Sequence, residues 1–167
     1  MKNQFISIII PVYNEVNTIE KISDKVNSIV LNGFGKQVVI VDDYSNDGTR
    51  EILTELKRKK FDYTILFHNR NYGKGRAIRT GLEYAKGLYT IIQDADLEYN
   101  PSDIPLLLNH ARKRNLEVVY GSRRLNKSNN RHSSIWFFWG GFILSVITNI
   151  LFNTKITDEP TCYKLIK

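Results

Sequence analysis

The chain has 167 residues, of which 42% are hydrophobic and 25% are charged, and this composition is ordinary for a globular domain. Its formal net charge of +7 suits an anionic partner, whether nucleic acid, anionic lipid or a phosphorylated substrate, and does not choose among them. A single cysteine, Cys162, excludes an internal disulfide and indicates a reducing compartment, and the residues after Met1 lack the pattern of a secretory signal.

Strand-like and helix-like segments alternate along the chain. Short apolar runs predict buried strands at 5–12, 37–41, 63–68, 89–93 and 116–120. Apolar residues at helical spacing predict helices at 17–31, 49–59 and 75–85. Asn100 followed by Pro101 predicts the cap and first position of a fourth helix. The alternation predicts a single α/β domain over residues 1–167, with a mostly parallel central sheet and helices on both faces.

Polar residues follow each predicted strand. These clusters occupy positions 11–15, 42–49, 69–75, 94–98 and 121–124. Because the carboxyl ends of parallel strands lie along one edge of a sheet, the clusters predict one binding site at that edge.

The fourth cluster holds two carboxylates at alternate positions, Asp94 and Asp96. Alternate residues of an extended chain share a face, and two close carboxylates repel each other unless a cation lies between them. Mg²⁺ or Mn²⁺ suits such oxygen ligands and often bridges to substrate phosphates. The alternative from these residues alone is a helix-capping turn, since aspartate is common in loops and caps.

The segment Ile135–Phe152 is rich in apolar residues and has no charged residue. Its length approaches that of a membrane span, but Gly140, Gly141 and Ser145 are among the residues that interrupt it. The pattern favours a helix over 133–153 that lies in a membrane interface or packs on a partner. A plain core helix is the alternative.

Taken together and in order, the motifs resemble the inverting nucleotide-sugar transferases of glycosyltransferase family 2. That resemblance implies the GT-A fold, a Rossmann-like nucleotide-diphospho-sugar transferase fold. Within the family, the motif DADLEY looks closest to polyprenyl-phosphate (dolichyl-phosphate) mannose and glucose synthases. The matching motifs are PVYNE at 11–15, VDDYSNDGT at 41–49, NYGKGRAIRTG at 71–81, DADLEYNPSD at 94–103, GSR at 121–123 and TDEPTCYK at 157–164.

The resemblance also implies roles for single residues on the donor side. It places Asp94 near the donor sugar and ribose, Asp96 on the metal, and Glu98 where a third metal ligand is expected. For Tyr13 and Glu15, packing at the core rim and solvation in a loop are the alternatives. The implied nucleotide contacts are Pro11, Tyr13, Glu15, Val41, Asp43, Asp94, Ala95, Asp96 and Arg123.

On the acceptor side, the resemblance implies that Arg123 and Arg131 hold the acceptor phosphate or the donor diphosphate. The alternative is a basic face that contacts anionic lipid headgroups. A lipid phosphate is already ionised and needs positioning without a general base, whereas a sugar hydroxyl needs one. Asp158 is therefore either a base, as in relatives that use a hydroxyl acceptor, or a residue that shapes the site. The second role is favoured.

The sequence thus predicts metal-dependent, inverting transfer of a hexose from a donor of the GDP-mannose or UDP-glucose type to a polyprenyl or dolichyl phosphate. The reaction is expected at the cytoplasmic face of a membrane, with no nucleic acid partner. The predicted catalytic residues are Asp94, Asp96, Arg123, Arg131 and Asp158.

Two other functions remain open. The same fold could transfer to a saccharide hydroxyl in cell-envelope polysaccharide synthesis, or the chain could be a nucleotide- or membrane-binding module without catalysis. A dinucleotide-dependent dehydrogenase is disfavoured, because no GxGxxG follows the first predicted strand. Members of the resembled family usually continue past the position of Lys167, so a C-terminally incomplete catalytic domain is expected.

Overall fold

The computed structural model describes residues 4–59, 62–123 and 135–167, with side chains from 139 onward in the last range. Strands and helices alternate along these residues. A short 3-10 turn at Pro101–Asp103 leads into the fourth helix. The elements in chain order are β1 (Phe5–Val12), α1 (Ile19–Ser28), β2 (Gly35–Asp42), α2 (Thr49–Lys59), β3 (Tyr63–Phe67), α3 (Lys74–Tyr84), β4 (Tyr89–Ile92), α4 (Ile104–Arg114), β5 (Val118–Tyr120), α5 (Ile135–Phe152) and β6 (Lys164–Ile166).

The strands of the described ranges form one sheet in the order β3-β2-β1-β4-β6-β5. The pairs β1–β2, β2–β3 and β1–β4 are parallel, while β6 is antiparallel to both β4 and β5. At the carboxyl edge, Val12 lies opposite Asp42, and Asp42 lies opposite Phe67. The predicted mostly parallel sheet is confirmed, and so is the shared edge at which the polar clusters begin.

Helices cover both faces of the sheet, as predicted. One core joins α1, α2 and α4 to the strands, through fully buried side chains such as Ile22, Leu53 and Ile104. On the opposite face, Ala77 of α3 packs with Ile9 and other strand residues in a second, smaller core. Every residue of β1 after Phe5 is buried, as expected for a strand covered on both sides.

Gly81 allows α3 to approach the sheet closely. A Cβ at this position would lie 2.5 Å from Cγ2 of Ile9, which is well inside van der Waals contact. The absence of a side chain at this glycine therefore permits the close packing.

Some boundaries differ from the predicted ones for local reasons. The helix predicted to have Asn100 as its cap and Pro101 at its first position starts as the 3-10 turn, where the Asn100 side chain accepts a hydrogen bond from Ser102 N at 3.2 Å. The fifth strand begins two residues late, because Asn115 ends α4 in the left-handed conformation with φ of 48°. The strand β6 is a feature that sequence reasoning missed.

The helix α5 turns its small and polar residues towards the domain. Ser145 is 3% exposed, donates to Gly141 O at 2.8 Å and accepts from Glu159 N at 2.9 Å. Asn149 holds the chain that follows, because it donates to Ile156 O at 2.8 Å and accepts from Ile156 N at 2.7 Å. This side of the helix therefore fastens the segment after it.

The remaining sides of α5 are apolar and exposed. A stripe at helical spacing is formed by Trp139, Ile143, Ile147 and Ile150, whose exposed fractions are 54%, 54%, 47% and 76%. Within the described residues, these side chains are therefore not part of a core. No helix in the described part of the chain has the length and apolar character to cross a bilayer.

Candidate active site

Each loop that follows β1, β2, β3 and β4 contains at least one residue with positive φ. These residues are Asn14 (φ 56°), Tyr44 (φ 69°) with Gly48 (φ 102°), Gly73 (φ 87°) and Leu97 (φ 64°). For Tyr44 and Leu97 this conformation is strained, since bulky side chains rarely adopt positive φ. Strained backbone of this kind is typical of ligand-binding edges.

The first two loops are tied together by hydrogen bonds. Asn14 N donates to Ser45 Oγ at 2.9 Å, and Asn14 Oδ1 accepts from Asn46 N at 2.9 Å. Asp47 accepts from Thr49 N at 3.0 Å, where α2 begins, and from Val16 N at 3.1 Å. Burial by itself raises the pKa of the Asp47 carboxyl. Hydrogen bonds from Thr49 and Val16 more than offset this, and the pKa is lowered. The residues 45–49 thus supply turn and capping contacts.

Asp43 anchors the third loop to the second. Its carboxylate is 2.7 Å from His68 Nδ1 and accepts hydrogen bonds from Tyr72 N at 3.0 Å and Gly73 N at 2.6 Å. The residue is 2% exposed. The neighbouring Asp42 pairs with Arg50 at 3.1 Å and so helps to hold the second loop.

These loops enclose a cavity of about 230 Å³ at the carboxyl edge of the sheet. Seven of the predicted nucleotide-binding residues line it, together with residues that were not predicted. Val41, also predicted as a contact, has its side chain fully buried in the smaller core. The lining residues are Pro11, Val12, Tyr13, Glu15, Asp43, Asn71, Gly73, Lys74, Ala77, Asp94, Ala95 and Asp96.

Tyr13 offers the cavity a flat, accessible ring. The residue is 47% exposed and lines the cavity, so its ring is accessible to a ligand. The carboxylate of Glu15, which also lines the cavity, accepts a hydrogen bond from Thr18 Oγ1 at 2.5 Å. A ring and a carboxylate side by side can stack on a nucleobase and accept hydrogen bonds from its edge.

Asp94 and Lys74 form the electrostatic centre of the cavity. Lys74 Nζ lies 2.6 Å from Asp94 Oδ1, and the Asp94 side chain is only 12% exposed. Burial by itself lowers the pKa of Lys74, but the carboxylates of Asp94 and Asp96 more than offset it and the pKa is raised. The ammonium group therefore stays charged beside Asp94.

The predicted metal ligands differ in their surroundings. Asp94 Oδ1 is buried and lies 2.6 Å from Lys74 Nζ, whereas Asp96 Oδ1 accepts from Glu98 N at 3.0 Å. Glu98 does not line the cavity. Among the described residues, no three His, Cys, Asp or Glu side chains are grouped so that they could hold a metal ion.

The donor set nevertheless fits Mg²⁺ or Mn²⁺. Mg²⁺ is commonly held by one or two carboxylates together with substrate phosphates, so a three-residue cluster is not required. Asp94 supplies a buried oxygen that is paired with the Lys74 ammonium, and Asp96 supplies an exposed carboxylate two residues away. Such hard oxygen ligands suit a divalent cation of this kind.

The segment after α5 is fastened behind the acidic loop. Tyr163 OH donates to Gln93 Oε1 at 2.5 Å, and Gln93 Nε2 donates to Asp94 O at 2.9 Å. Cys162 N donates to Tyr99 OH at 3.0 Å. Burial, with a contribution from the nearby Asp94 carboxylate, raises the pKa of the Cys162 thiol to about 12. The motifs at 94–103 and 157–164 therefore form one structural unit.

Arg123 and Asp158, both predicted site residues, contact each other. Arg123 donates from N at 3.0 Å, from Nε at 2.9 Å and from Nη2 at 3.0 Å to the Asp158 carboxylate. Asp158 is 1% exposed, whereas the Arg123 side chain is 54% exposed. Neither residue lines the cavity. The other predicted arginine, Arg131, lies outside the described residues.

Sequence reasoning missed Asn71 and left the role of Lys74 open, although both line the cavity. A lysine between two glycines was a weak signal, because the motif does not match a phosphate-binding loop. Cys162 gave no signal either. Its place near Asp94 depends on β6, which was not predicted.

Comparison with known proteins shows what the chain resembles. The family model described as "Glycosyl transferase family 2" matches residues 7–167. The undecaprenyl-phosphate 4-deoxy-4-formamido-L-arabinose transferase of Pseudomonas savastanoi pv. phaseolicola is 35% identical over 145 residues, which is 86% of this chain and 41% of that protein. The protein of the same name from Edwardsiella ictaluri is 38% identical over 111 residues, which is 65% of this chain and 34% of that protein.

Among solved structures, the mannosyltransferase PcManGT from Pyrobaculum calidifontis, in complex with GDP-Man and Mn²⁺, superposes with a TM-score of 0.61. It is 26% identical, and the match covers 71% of this chain and 35% of that one. The glucosyl-3-phosphoglycerate synthase of Mycobacterium tuberculosis, with Mn²⁺, UDP and phosphoglyceric acid, is 17% identical with a TM-score of 0.66 over 98% of this chain and 56% of that one. The second likeness concerns the fold alone, and the predicted GT-A fold is confirmed.

Proposed function

This chain belongs to glycosyl transferase family 2, and we propose that it transfers a sugar from a nucleotide sugar to a polyprenyl phosphate. The chain spans 41% of the length of the Pseudomonas savastanoi relative that it matches. The observation that carries the proposal is the cavity at the carboxyl edge, where loops after β1, β2 and β4 bring an aromatic ring and several carboxylates together.

The cavity suits a nucleotide-sugar donor. In the proposal, Tyr13 stacks on the base, Glu15 accepts hydrogen bonds from its edge, and the backbone near Val41 and Asp43 lies along the ribose. Pro11 and Ala95 complete the wall. The structure of PcManGT holds GDP-Man, which supports a donor of the GDP-mannose type, and a donor of the UDP-glucose type is the other candidate.

We propose that Asp94, Asp96 and Glu98 hold Mg²⁺ or Mn²⁺ together with the donor diphosphate. When bound, the ion supplies positive charge that stabilises the leaving nucleoside diphosphate. Two of the solved neighbours contain Mn²⁺. The buried Asp94 oxygen orients the donor end of the site, while the exposed Asp96 and Glu98 adjust to the ion.

The acceptor proposal follows from chemistry and from the relatives. The two bacterial relatives are named as undecaprenyl-phosphate transferases. A phosphate oxygen attacks the anomeric carbon in line, inverts it and needs no base. Asp158 is engaged by Arg123, which suits a residue that shapes the site rather than a base. Arg123 and Arg131 are proposed to hold the acceptor phosphate.

The exposed face of α5 is proposed to lie on the cytoplasmic surface of the membrane that contains the acceptor. Its apolar stripe from Trp139 to Ile150 faces away from the domain, and its polar residues face inwards. This is the arrangement of a helix that rests in a bilayer interface. A chain net charge of +7 adds attraction to anionic lipids.

A transfer assay tests the donor and the acceptor. Undecaprenyl phosphate in vesicles is offered with GDP-mannose, UDP-glucose or UDP-4-deoxy-4-formamido-L-arabinose, each with Mn²⁺ or with EDTA. We expect one donor to give a lipid-linked sugar, EDTA to abolish transfer, and Asp96→Asn to lower it at least about 100-fold. Asp62→Asn, an exposed aspartate just before β3, is the control and should match the unaltered protein.

Transfer to a saccharide hydroxyl in place of the lipid phosphate would overturn the acceptor assignment. Binding of nucleotide without any transfer would favour a non-catalytic module. Binding of no nucleotide at all would refute the proposal as a whole.

A flotation assay tests the membrane surface. The double variant Ile143→Glu/Ile147→Glu should lose binding to vesicles of phosphatidylethanolamine and phosphatidylglycerol, because it places charge on the apolar stripe. The matched control is Leu106→Glu in α4, whose residue is 67% exposed but lies outside the stripe. Equal flotation of both variants would refute the role of α5.

A further inference from the structure

The contact between Lys74 and Asp94 joins two parts of the site with different freedom to move. Lys74 is the first residue of α3, and its side chain is 58% exposed. Asp94 follows β4, and its side chain is 12% exposed. Their charged atoms, Nζ and Oδ1, lie 2.6 Å apart. The Lys74 side chain can therefore move away from the contact into solvent, whereas the Asp94 carboxylate stays buried.

The environment of Asp94 requires a cation. Its Oδ1 is buried, and the Lys74 ammonium lies 2.6 Å from it, so the negative charge is balanced mainly by that ammonium group. Lysine is a point charge on a flexible stem, so it makes this contact without a fixed hydrogen-bond geometry. An incoming ion at the same oxygen would meet that charge at contact distance, and like charges so close repel strongly.

We propose that Lys74 is a built-in counter-ion of Asp94, which a divalent cation must displace and which then pairs with the donor diphosphate. The inference depends on the proposed function, because it takes Asp94 as a metal ligand and a diphosphate as the second anion. Without a nucleotide, the displaced ammonium loses its partner and metal binding is weak. With a nucleotide, the diphosphate receives the ammonium and metal binding becomes tight.

Lys74 is thus a positioning residue that couples two binding events. Coupling between sites is reciprocal, so the nucleotide should tighten metal binding by the same factor as the metal tightens nucleotide binding. A substitution that removes the Lys74 ammonium but retains an unbranched side chain should uncouple metal binding from nucleotide binding. In Lys74→Met, binding of Mn²⁺ alone should become tighter, while the gain conferred by nucleotide should shrink.

The experiment measures Mn²⁺ affinity by electron paramagnetic resonance of the free ion, with and without UDP or GDP. Lys74→Met should bind Mn²⁺ alone about 5- to 100-fold more tightly than the unaltered protein, which is the usual range of such coupling. Lys74→Arg retains the positive charge and should bind Mn²⁺ alone no more tightly than the unaltered protein. The control Lys21→Met removes one exposed positive charge from α1 and should leave the affinity within about twofold.

Each outcome separates the inference from the function on which it depends. If Lys74→Met binds Mn²⁺ alone no more tightly, the counter-ion role is refuted even though the unaltered protein binds both ligands. If the unaltered protein binds no Mn²⁺ with either nucleotide, the proposed function fails and the inference fails with it. Thermal melting of Lys74→Met, expected close to that of the unaltered protein, shows that the variant is folded.

Discussion

Arg123 and Asp158 are joined by three hydrogen bonds, although they lie 35 residues apart in the sequence. The segment that carries Asp158 is held by α5 on both sides, through Asn149 to Ile156 and through Ser145 to Glu159. A short chain of contacts thus runs from the exposed apolar helix to a proposed phosphate-binding arginine. A ligand that rests on α5 can influence Arg123 through this chain.

Replacement of Asp158 separates positioning from base catalysis. We expect Asp158→Asn to weaken donor or acceptor binding, because Arg123 loses part of its bidentate support. The pH dependence of kcat should keep its shape. If Asp158 were a general base, Asp158→Asn would instead remove the acid limb of the pH profile of kcat. It would also lower kcat by roughly 10²- to 10⁴-fold. Steady-state kinetics over a pH series decides between them.

Asp43 should be important for stability as well as for the site. Asp43→Ala removes the acceptor of the Tyr72 and Gly73 N–H groups, and we expect unfolding free energy to fall by about 2–3 kcal/mol. Asp43→Asn retains one acceptor oxygen and should lose less. Urea unfolding gives both values, and Asp62→Ala, at an exposed position before β3, serves as the comparison. Equal stability of all variants would contradict the anchoring role.

The close approach of α3 to the sheet predicts a difference between two glycines of one helix. In Gly81→Ala the added Cβ meets Ile9 Cγ2, so we expect a loss of about 1–3 kcal/mol. Gly75→Ala has nothing within 4 Å of the added atom and should lose no stability. Combination of Gly81→Ala with Ile9→Ala should recover part of the loss, because the double variant removes the clash. Purely additive losses would show that the contact is not responsible.

The thiol of Cys162 should be unreactive in the folded chain. Burial first, and then the Asp94 carboxylate, raise its pKa to about 12, so the neutral thiol prevails until the pH approaches that value. At pH 8, alkylation by iodoacetamide should be slower than in urea by roughly a thousandfold, since only the thiolate reacts. Because the sequence has one cysteine, mass spectrometry reads this site alone.

Asp94→Asn provides the internal check for that measurement. It removes a negative charge near the thiol, so the alkylation rate at pH 8 should rise. An unchanged rate in this variant would mean that burial alone sets the pKa. Equal rates in the folded and unfolded protein would contradict a raised pKa of the Cys162 thiol.

The sequence predicted the sheet well where the signal is local. β1 and α2 have the predicted bounds, since continuous apolar runs and helical spacing are properties of neighbouring residues. The strand β6 escaped prediction because Lys164–Ile166 is too short for a pattern, and it forms only by pairing with β4 and β5. Its partners lie far away in the sequence, and no local preference reports them.

In the site, too, features set by neighbouring residues were predicted, whereas features set by long-range packing were not. The loops that carry Tyr13, Asp43 and Asp94 were predicted from their place after strands, and the structure brings these residues to one cavity. The pairs Lys74–Asp94 and Arg123–Asp158 were not predicted. A distance between side chains depends on how helices and loops pack, which a motif does not specify. The predicted roles of the residues in binding remain predictions.

Because α5 exposes its apolar residues and directs its polar residues towards the domain, its outer face can be altered to study the enzyme without lipid or detergent. The outward residues Ile143, Ile147 and Ile150 contribute little to the packing of the domain, as their exposure shows, while Ser145 and Asn149 make the inward contacts. Replacement of the outward residues by glutamine and lysine would turn α5 into an ordinary surface helix. Such a variant should remain monodisperse without detergent, and a short-chain, water-soluble prenyl phosphate would then be a suitable acceptor for crystallisation.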